Sequence, residues 1–244
     1  MGMFDHHLER LRAFLTENAG RPDFAEFTAE KTPPWPAAGN NNLVLSSDTG
    51  VELGSPKTAA TSFLLWTERP EAVRHGRISL IGPDIHQDRR PLSPFGKAVL
   101  INVSGFDENN SYDRYREMEL AKYDVSLAGY MMRAVSQYQR EWSRISKTAV
   151  AGGFSLSVLG GALIHELMKK PYVQAVEILF VTAGVPEVLA LKTIGDGVAD
   201  ILGAMNKMAE EMRFDCSACE YQAVCDEVSE LRSMRNAMKK QTTH

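Results

Sequence analysis

An α+β fold is predicted for this 244-residue chain. Strand-like runs gather in its first half, helical periodicity takes over from about Tyr112, and one strong strand interrupts the helices near Val176. The first element is a short helix over Phe4–Thr16, with Leu8, Leu11, Phe14 and Leu15 on one face. Pro22, Pro33, Pro34 and Pro36, then Gly39 and three asparagines, read as a connector or arm outside the core. Strands are expected at Leu43–Leu45, Val51–Leu53, Ser62–Trp66, Arg77–Ile81 and Lys97–Val103, separated by turn signals such as Gly54-Ser55-Pro56 and Gly82-Pro83-Asp84. From Tyr112 to about Trp142 the aromatic and apolar residues recur at helical spacing and predict one long helix. Gly152-Gly153 breaks the pattern, and Ser155 is placed to cap a helix reaching about Lys170. Val173–Thr182 is the strongest strand. A helix opening near Pro186 is expected to run to about Arg213, and Val228, Leu231, Met234 and Met238 mark a last one.

Composition narrows the function classes. With 44% hydrophobic and 24% charged residues, a normal folded core is expected. A formal net charge of -4 argues against a general nucleic-acid binder. No apolar run approaches the roughly 20 residues of a membrane span, and no signal peptide is visible at the N-terminus, so a cytoplasmic protein is expected.

The three cysteines, Cys216, Cys219 and Cys225, all lie within ten residues. An odd, tight cluster is a poor disulfide framework and a plausible set of thiolate ligands. A four-iron cluster with three cysteines would take its fourth ligand from Asp215, Asp226, another chain or a small molecule. A zinc ion with three sulfurs would need a histidine, with His165 or His244 as candidates. A redox dithiol at Cys216 and Cys219, or three inert thiols, are the blander readings.

Other constellations invite weaker chemistry. Arg133, Arg140, Arg144 and Lys147, interleaved with Tyr138 and Trp142, suit a nucleotide through phosphate pairing and stacking, or equally a solvated charged face. Lys57 after its Gly-Ser-Pro turn lacks the rest of a phosphate loop. Asp84, His86 and Asp88 alternate on a loop that reads better as surface than as a chelate. His165 reads as a core or boundary residue. Leu191, Ile194, Val198, Ile201, Met205, Met208 and Met212 form a seam stepping by three and four, suited to packing within the chain or to a homodimer.

Several segments stand in the order found in the beta subunit of the acetyl-CoA synthase/carbon monoxide dehydrogenase complex. They are Val51–Lys57 (VELGSPK), Ile78–Asp84 (ISLIGPD), Pro94-Phe95-Gly96, Trp142–Lys147 (WSRISK) with Gly153-Phe154, and the strand Val176–Thr182. The chain resembles that family's middle domain from about Leu43 to Cys225. The resemblance implies an α+β domain just ahead of a nickel–iron–sulfur centre, in a family that makes acetyl-CoA from CO, a methyl group and CoA. Cys216 and Cys219 look like the Cys-x-x-Cys that opens this centre. Cys225 follows sooner than the family's third cysteine, and the Cys-Gly-Cys motif that holds the distal nickel has no counterpart. Where the family has a tryptophan thought to lie near CoA, this chain has Arg133.

The resemblance therefore implies a stand-alone relative without the complete carbon–carbon bond-forming centre, and leaves open whether it is catalytic. It divides the chain into an N-terminal helix and arm (1–42), a synthase-like domain (43–213), and a cysteine motif with its helix (214–244). The leading expectation is an iron–sulfur (4Fe-4S) or metal protein bound through Cys216, Cys219 and Cys225. Its role would be accessory or electron-handling in anaerobic one-carbon or corrinoid metabolism, beside a corrinoid or carbon monoxide dehydrogenase-type partner. The alternatives are a coenzyme A-binding methyl- or acyl-transfer component using Arg133, Arg140, Trp142 and Arg144, and a zinc-stabilised homodimeric assembly module.

Overall fold

The computed structural model describes residues 2–39, 42–86, 92–136, 140–210 and 220–241. It bears out the α+β expectation, with the strands divided between two sheets. The larger is a five-stranded mixed sheet in the order β1-β4-β9-β6-β3, built from β1 (Phe24–Thr28), β3 (Ala60–Thr67), β4 (Arg77–Ile81), β6 (Phe95–Val103) and β9 (Val173–Val181). β3 pairs in parallel with β6 and β4 with β9, while β6 and β9 run antiparallel. Every residue of β3 and β6 is buried. That is the burial expected of strands covered on both faces, and it is why their centres, Phe63–Trp66 and Ala98–Ile101, are continuous apolar stretches.

Helices supply the cover. Gly160 of α4 (Leu156–Met168) sits on Ile78 of β4. On the opposite face α5 (Val185–Glu210) brings Gly195 onto Phe63 of β3 and Leu191 onto Gly96 of β6. Alternate residues of β3 therefore look to opposite layers: Thr61 and Phe63 towards α5, Ser62 and Leu64 towards Leu163 and Leu167 of α4. The seam of α5 is used within the chain, since Leu191, Ile194, Val198, Ile201, Met205 and Met208 are all buried in its own core. Met212 lies outside the described residues. Glycines let neighbours approach α5 on three sides. A Cβ at Gly195 would come within 2.6 Å of Phe63, at Gly197 within 2.3 Å of His7 of α1 (Asp5–Asn18), and at Gly203 within 2.8 Å of Tyr221.

The second, four-stranded sheet runs β5-β2-β8-β7, from β2 (Thr49–Leu53), β5 (Leu92–Ser93), β7 (Tyr130–Ser136) and β8 (Arg140–Ser146). It overturns the expectation of one long helix from Tyr112 to Trp142. The helix there, α2 (Ser111–Leu120), stops after 10 residues and a short 3-10 turn, and the chain then folds into the antiparallel hairpin β7–β8. Helical and strand periodicities overlap in this stretch, and cross-strand partners decided the outcome. Two smaller corrections belong to the N-terminal part. Leu43–Leu45 is not a strand, and the proline-rich connector contains β1, which pairs with β4 at the edge of the main sheet. The remaining helices are α3 (Lys147–Ala151), α6 (Gln222–Glu227) and α7 (Ser229–Gln241).

Candidate functional site

Three of the four residues read as a nucleotide contact share one strand. Arg140, Trp142 and Arg144 occupy alternate positions of β8, and Arg133 falls at the irregularity of β7 between Met132 and Ala134. The Arg133 and Arg140 side chains lie outside the described residues. Arg144 and Trp142 are already engaged. Glu52, the direct cross-strand partner of Arg144 in β2, accepts from Arg144 Nε at 2.7 Å and from Trp142 Nε1 at 3.3 Å. Both members of the Arg144–Glu52 pair are largely buried. An anion arriving here must compete with Glu52. Lys147 is exposed and donates to the Ser47 carbonyl.

The other face of β8 carries a feature that sequence reasoning missed. Glu141, between Arg140 and Trp142, is buried against Lys97 of β6, with Lys122 at 4.0 Å and Lys122 in turn paired with Glu119. Ser62 also donates to Glu141. Burial works to raise the Glu141 carboxyl, but the Lys97 and Lys122 ammoniums outweigh it and hold the group below the usual carboxylate range. Burial likewise works to lower Lys122, and Glu119 and Glu141 reverse it. The phenol of Tyr130 is pushed up by burial and, further, by Glu141. The four charges form a closed, neutral knot that fastens the second sheet to the first. Nearby, Gly54 ends β2 at φ +69, and a Cβ there would stand 1.8 Å from the Glu141 carbonyl oxygen, so only glycine lets β2 close onto β8. A lysine inside an apolar strand was the available signal for this knot; its other members, Glu119, Lys122 and Glu141, could not be told from surface charges.

The cysteine constellation is described in part. Cys216 and Cys219 lie outside the described residues, as do Asp215 and His244. Cys225 is in α6 and buried in the core. Among the proposed fourth ligands, Asp226 is turned to an ion pair with Arg235 at 2.8 Å. His165 is exposed rather than a core or boundary residue, and it belongs to α4, on the face of the main sheet opposite α5 and the α6–α7 tail. It is therefore not placed to join Cys225 on one zinc ion. Among the described residues no group of three or more His, Cys, Asp or Glu side chains converges as a metal site.

The remaining candidates are structural. Asp84 is buried, and its Oδ1 accepts from the backbone N–H groups of Ile85 and Leu156, holding the start of α4. His86 is exposed, and Asp88 lies outside the described residues. Ser155 caps α4 by accepting from Val158 N, and Gly153 at φ +88 makes the turn before it. Lys57 is exposed on its turn.

Fold and site together define a two-sheet α+β protein in which a polar hairpin sheet is pinned to a fully covered mixed sheet. The model of the CO dehydrogenase/acetyl-CoA synthase complex beta subunit family matches residues 38–185, more than half of the sequence, and the chain belongs to that family. It is 26% identical over 140 residues to the acetyl-CoA decarbonylase/synthase complex subunit beta of Methanopyrus kandleri, a match covering 57% of this chain and 29% of the relative. It is 27% identical over 128 residues to the carbon monoxide dehydrogenase/acetyl-CoA synthase subunit alpha of Moorella thermoacetica, covering 52% of this chain and 17% of the relative. The chain thus spans less than a third of the length of either relative. The family match holds both sheets except β1 and ends before the cysteines, so their likeness to the family's metal motif rests on spacing. No helix among the described residues is long and apolar enough to cross a membrane.

Proposed function

We propose that this protein is an accessory component of one-carbon metabolism that holds an iron–sulfur cluster or a metal ion through Cys216, Cys219 and Cys225. It would serve a corrinoid or carbon monoxide dehydrogenase-type partner by handling electrons. The observation that carries the reading is the donor set. Three thiols fall within ten residues, with Cys225 anchored in the folded body beside α5 rather than on a free tail. Among the described candidates for a fourth ligand, His165 is on the far face and Asp226 is committed to Arg235, so neither completes a closed set with the three sulfurs. That suits an iron–sulfur cluster better than a closed zinc site, which needs four protein ligands. A bound cluster would supply one-electron transfer; the chain's part is to hold it for exchange with a partner. Anaerobic purification, metal analysis and an absorption spectrum test this. About four irons per chain with visible sulfur-to-iron absorption is expected, and lost in Cys216→Ser. One colourless zinc would replace this reading with a structural site, and three titratable thiols with no metal would remove it.

A second reading is favoured by the alternate placement of Arg140, Trp142 and Arg144 on β8, inside the family-matched residues. There the hairpin takes the phosphate and adenine end of coenzyme A, and the protein acts in methyl or acyl transfer with a partner. Calorimetry with CoA decides it: binding should weaken on Arg144→Ala and strengthen on Glu52→Gln, which removes the competing carboxylate. No heat of binding with the native protein ends this reading.

A further inference from the structure

The proline-rich connector is laid across the lead-in to β7 and the junction between α3 and α4. Trp35 is its anchor. The Trp35 ring meets Phe154 edge-on at 5.1 Å and lies over Gly152, and its Nε1 donates to the Ala128 carbonyl at 2.9 Å. The backbone adds a reciprocal pair. Ala128 N donates to the Pro36 carbonyl at 2.9 Å and Ala38 N to the Ser126 carbonyl at 3.4 Å, which sets Ala37 opposite Leu127 as in an antiparallel ladder. Asn42 closes the far end, where its Oδ1 accepts from Gly129 N at 2.9 Å and its Nδ2 donates to the Leu127 and Tyr130 carbonyls. Gly129 in turn accepts from Ser146 N at 2.8 Å. The base of the hairpin, where β7 begins and β8 ends, is thus tied to the connector.

The tie is shallow. No residue from Thr32 to Gly39 is buried, and Trp35 is the one large apolar side chain among them, itself only partly covered. A segment held by exposed backbone hydrogen bonds and a single ring belongs to the low end of local stability. It is also pre-shaped. Pro33, Pro34 and Pro36 flank Trp35, hold φ at about -65° and carry no N–H, and each biases the residue before it to extended backbone. Released, the segment keeps its extended form, strands few donors and gives up little chain entropy on seating again. Trp35 and Pro36 precede the family-matched residues 38–185, whereas Ser126, Ala128, Gly152 and Phe154 fall within them. The anchor therefore fastens onto the family's domain from outside the matched stretch.

We infer that residues 32–39, with Asn42, form a detachable strap, a two-state element built into the fold. Seated, it fixes the base of the β7–β8 hairpin; released, it frees the lead-in to β7 while both sheets stay folded. Its position makes it a control on the strand pair that carries Arg133, Arg140, Trp142 and Arg144. The inference holds whether or not those residues meet coenzyme A.

Amide hydrogen exchange of the full chain, resolved by NMR, tests it. The amides of Ala38, Ala128 and Gly129 all donate across this contact. They should exchange as one group, at least about tenfold faster than the amides of β6 and β9. Trp35→Ala should speed that group by a further factor of about ten and leave β6 and β9 unchanged. Trp35→Phe, which keeps a ring against Phe154 but loses the donor to Ala128, should fall between. Three results each overturn the strap: the group is as slow as β6 and β9 in the native protein, Trp35→Ala leaves Ala128 and Gly129 unchanged, or Trp35→Ala speeds exchange equally throughout the chain.

Discussion

The two sheets are held by different physics. The five-stranded sheet is packed on both faces by apolar side chains, with Phe63, Phe95 and Phe180 among the largest fully buried groups. The four-stranded sheet is smaller and leans on charge: Lys97–Glu141 binds it to its neighbour and Arg144–Glu52 crosses its own strands. Apolar burial is undirected and tolerant of register, whereas a buried ion pair is worth little net stability but punishes every wrong partner. The first sheet therefore supplies the stability, and the second is fixed in place by a few directed contacts.

The sharpest way to break this contrast is to remove one charge from the knot. Glu141→Ala strands Lys97 in the interior and should cost about 3–5 kcal/mol in denaturant unfolding. Replacing both partners with apolar residues, Lys97→Met with Glu141→Leu, should recover most of that loss. If the double variant is no better than the single, the loss comes from the Lys122 and Ser62 contacts of Glu141 rather than from the stranded Lys97. Phe180→Ala in the main sheet should cost a similar 3–5 kcal/mol, but by leaving a cavity that no second substitution at a charged site relieves. Glu52→Gln at the outer pair should cost less, about 1–3 kcal/mol, since the amide oxygen can keep only one of the two donors that now sit on separate carboxylate oxygens, Arg144 Nε or Trp142 Nε1. Ser155→Ala, which removes the cap of α4, should cost about 1 kcal/mol.

Acidity separates the regions further. The Glu141 carboxyl titrates below its unfolded value, so its contribution is complete above the ordinary carboxylate range and is lost as pH falls through the depressed value. Burial, with His6 and Arg10 adding to it, brings His7 down to about 4 from an ordinary 6.5. Between those two values the unfolded chain binds the proton and the folded chain does not, so stability falls as pH drops from about 6.5 to about 4. A melting temperature that follows this slope in the native protein, and follows it less steeply in His7→Gln, checks the assignment.

Legibility in the sequence tracks the same division. β4 and β9 were readable because Arg77–Ile81 and Val173–Val181 are apolar runs with turn signals around them, and α4 because Ser155 supplies an N-cap. The hairpin β7–β8 was not, because Tyr112, Tyr115 and Met118 of α2, Tyr123 and Leu127 after it, and Met131 and Ala134 of β7 recur at helical spacing although they belong to different elements. β1 was hidden by the prolines that follow it. Of the candidate site, the residue types on β8 were legible but their counter-ion Glu52 was not, since cross-strand register is set by tertiary pairing.

The three-sided enclosure of α5 has a practical consequence for dissecting this protein. The family-matched stretch closes at residue 185, where α5 begins. A fragment trimmed to that stretch would leave the Phe63 side of β3 and the Gly96 side of β6 bare to water. The smallest autonomous unit here must therefore carry the long helix, and with it α1 and α6, which flank it.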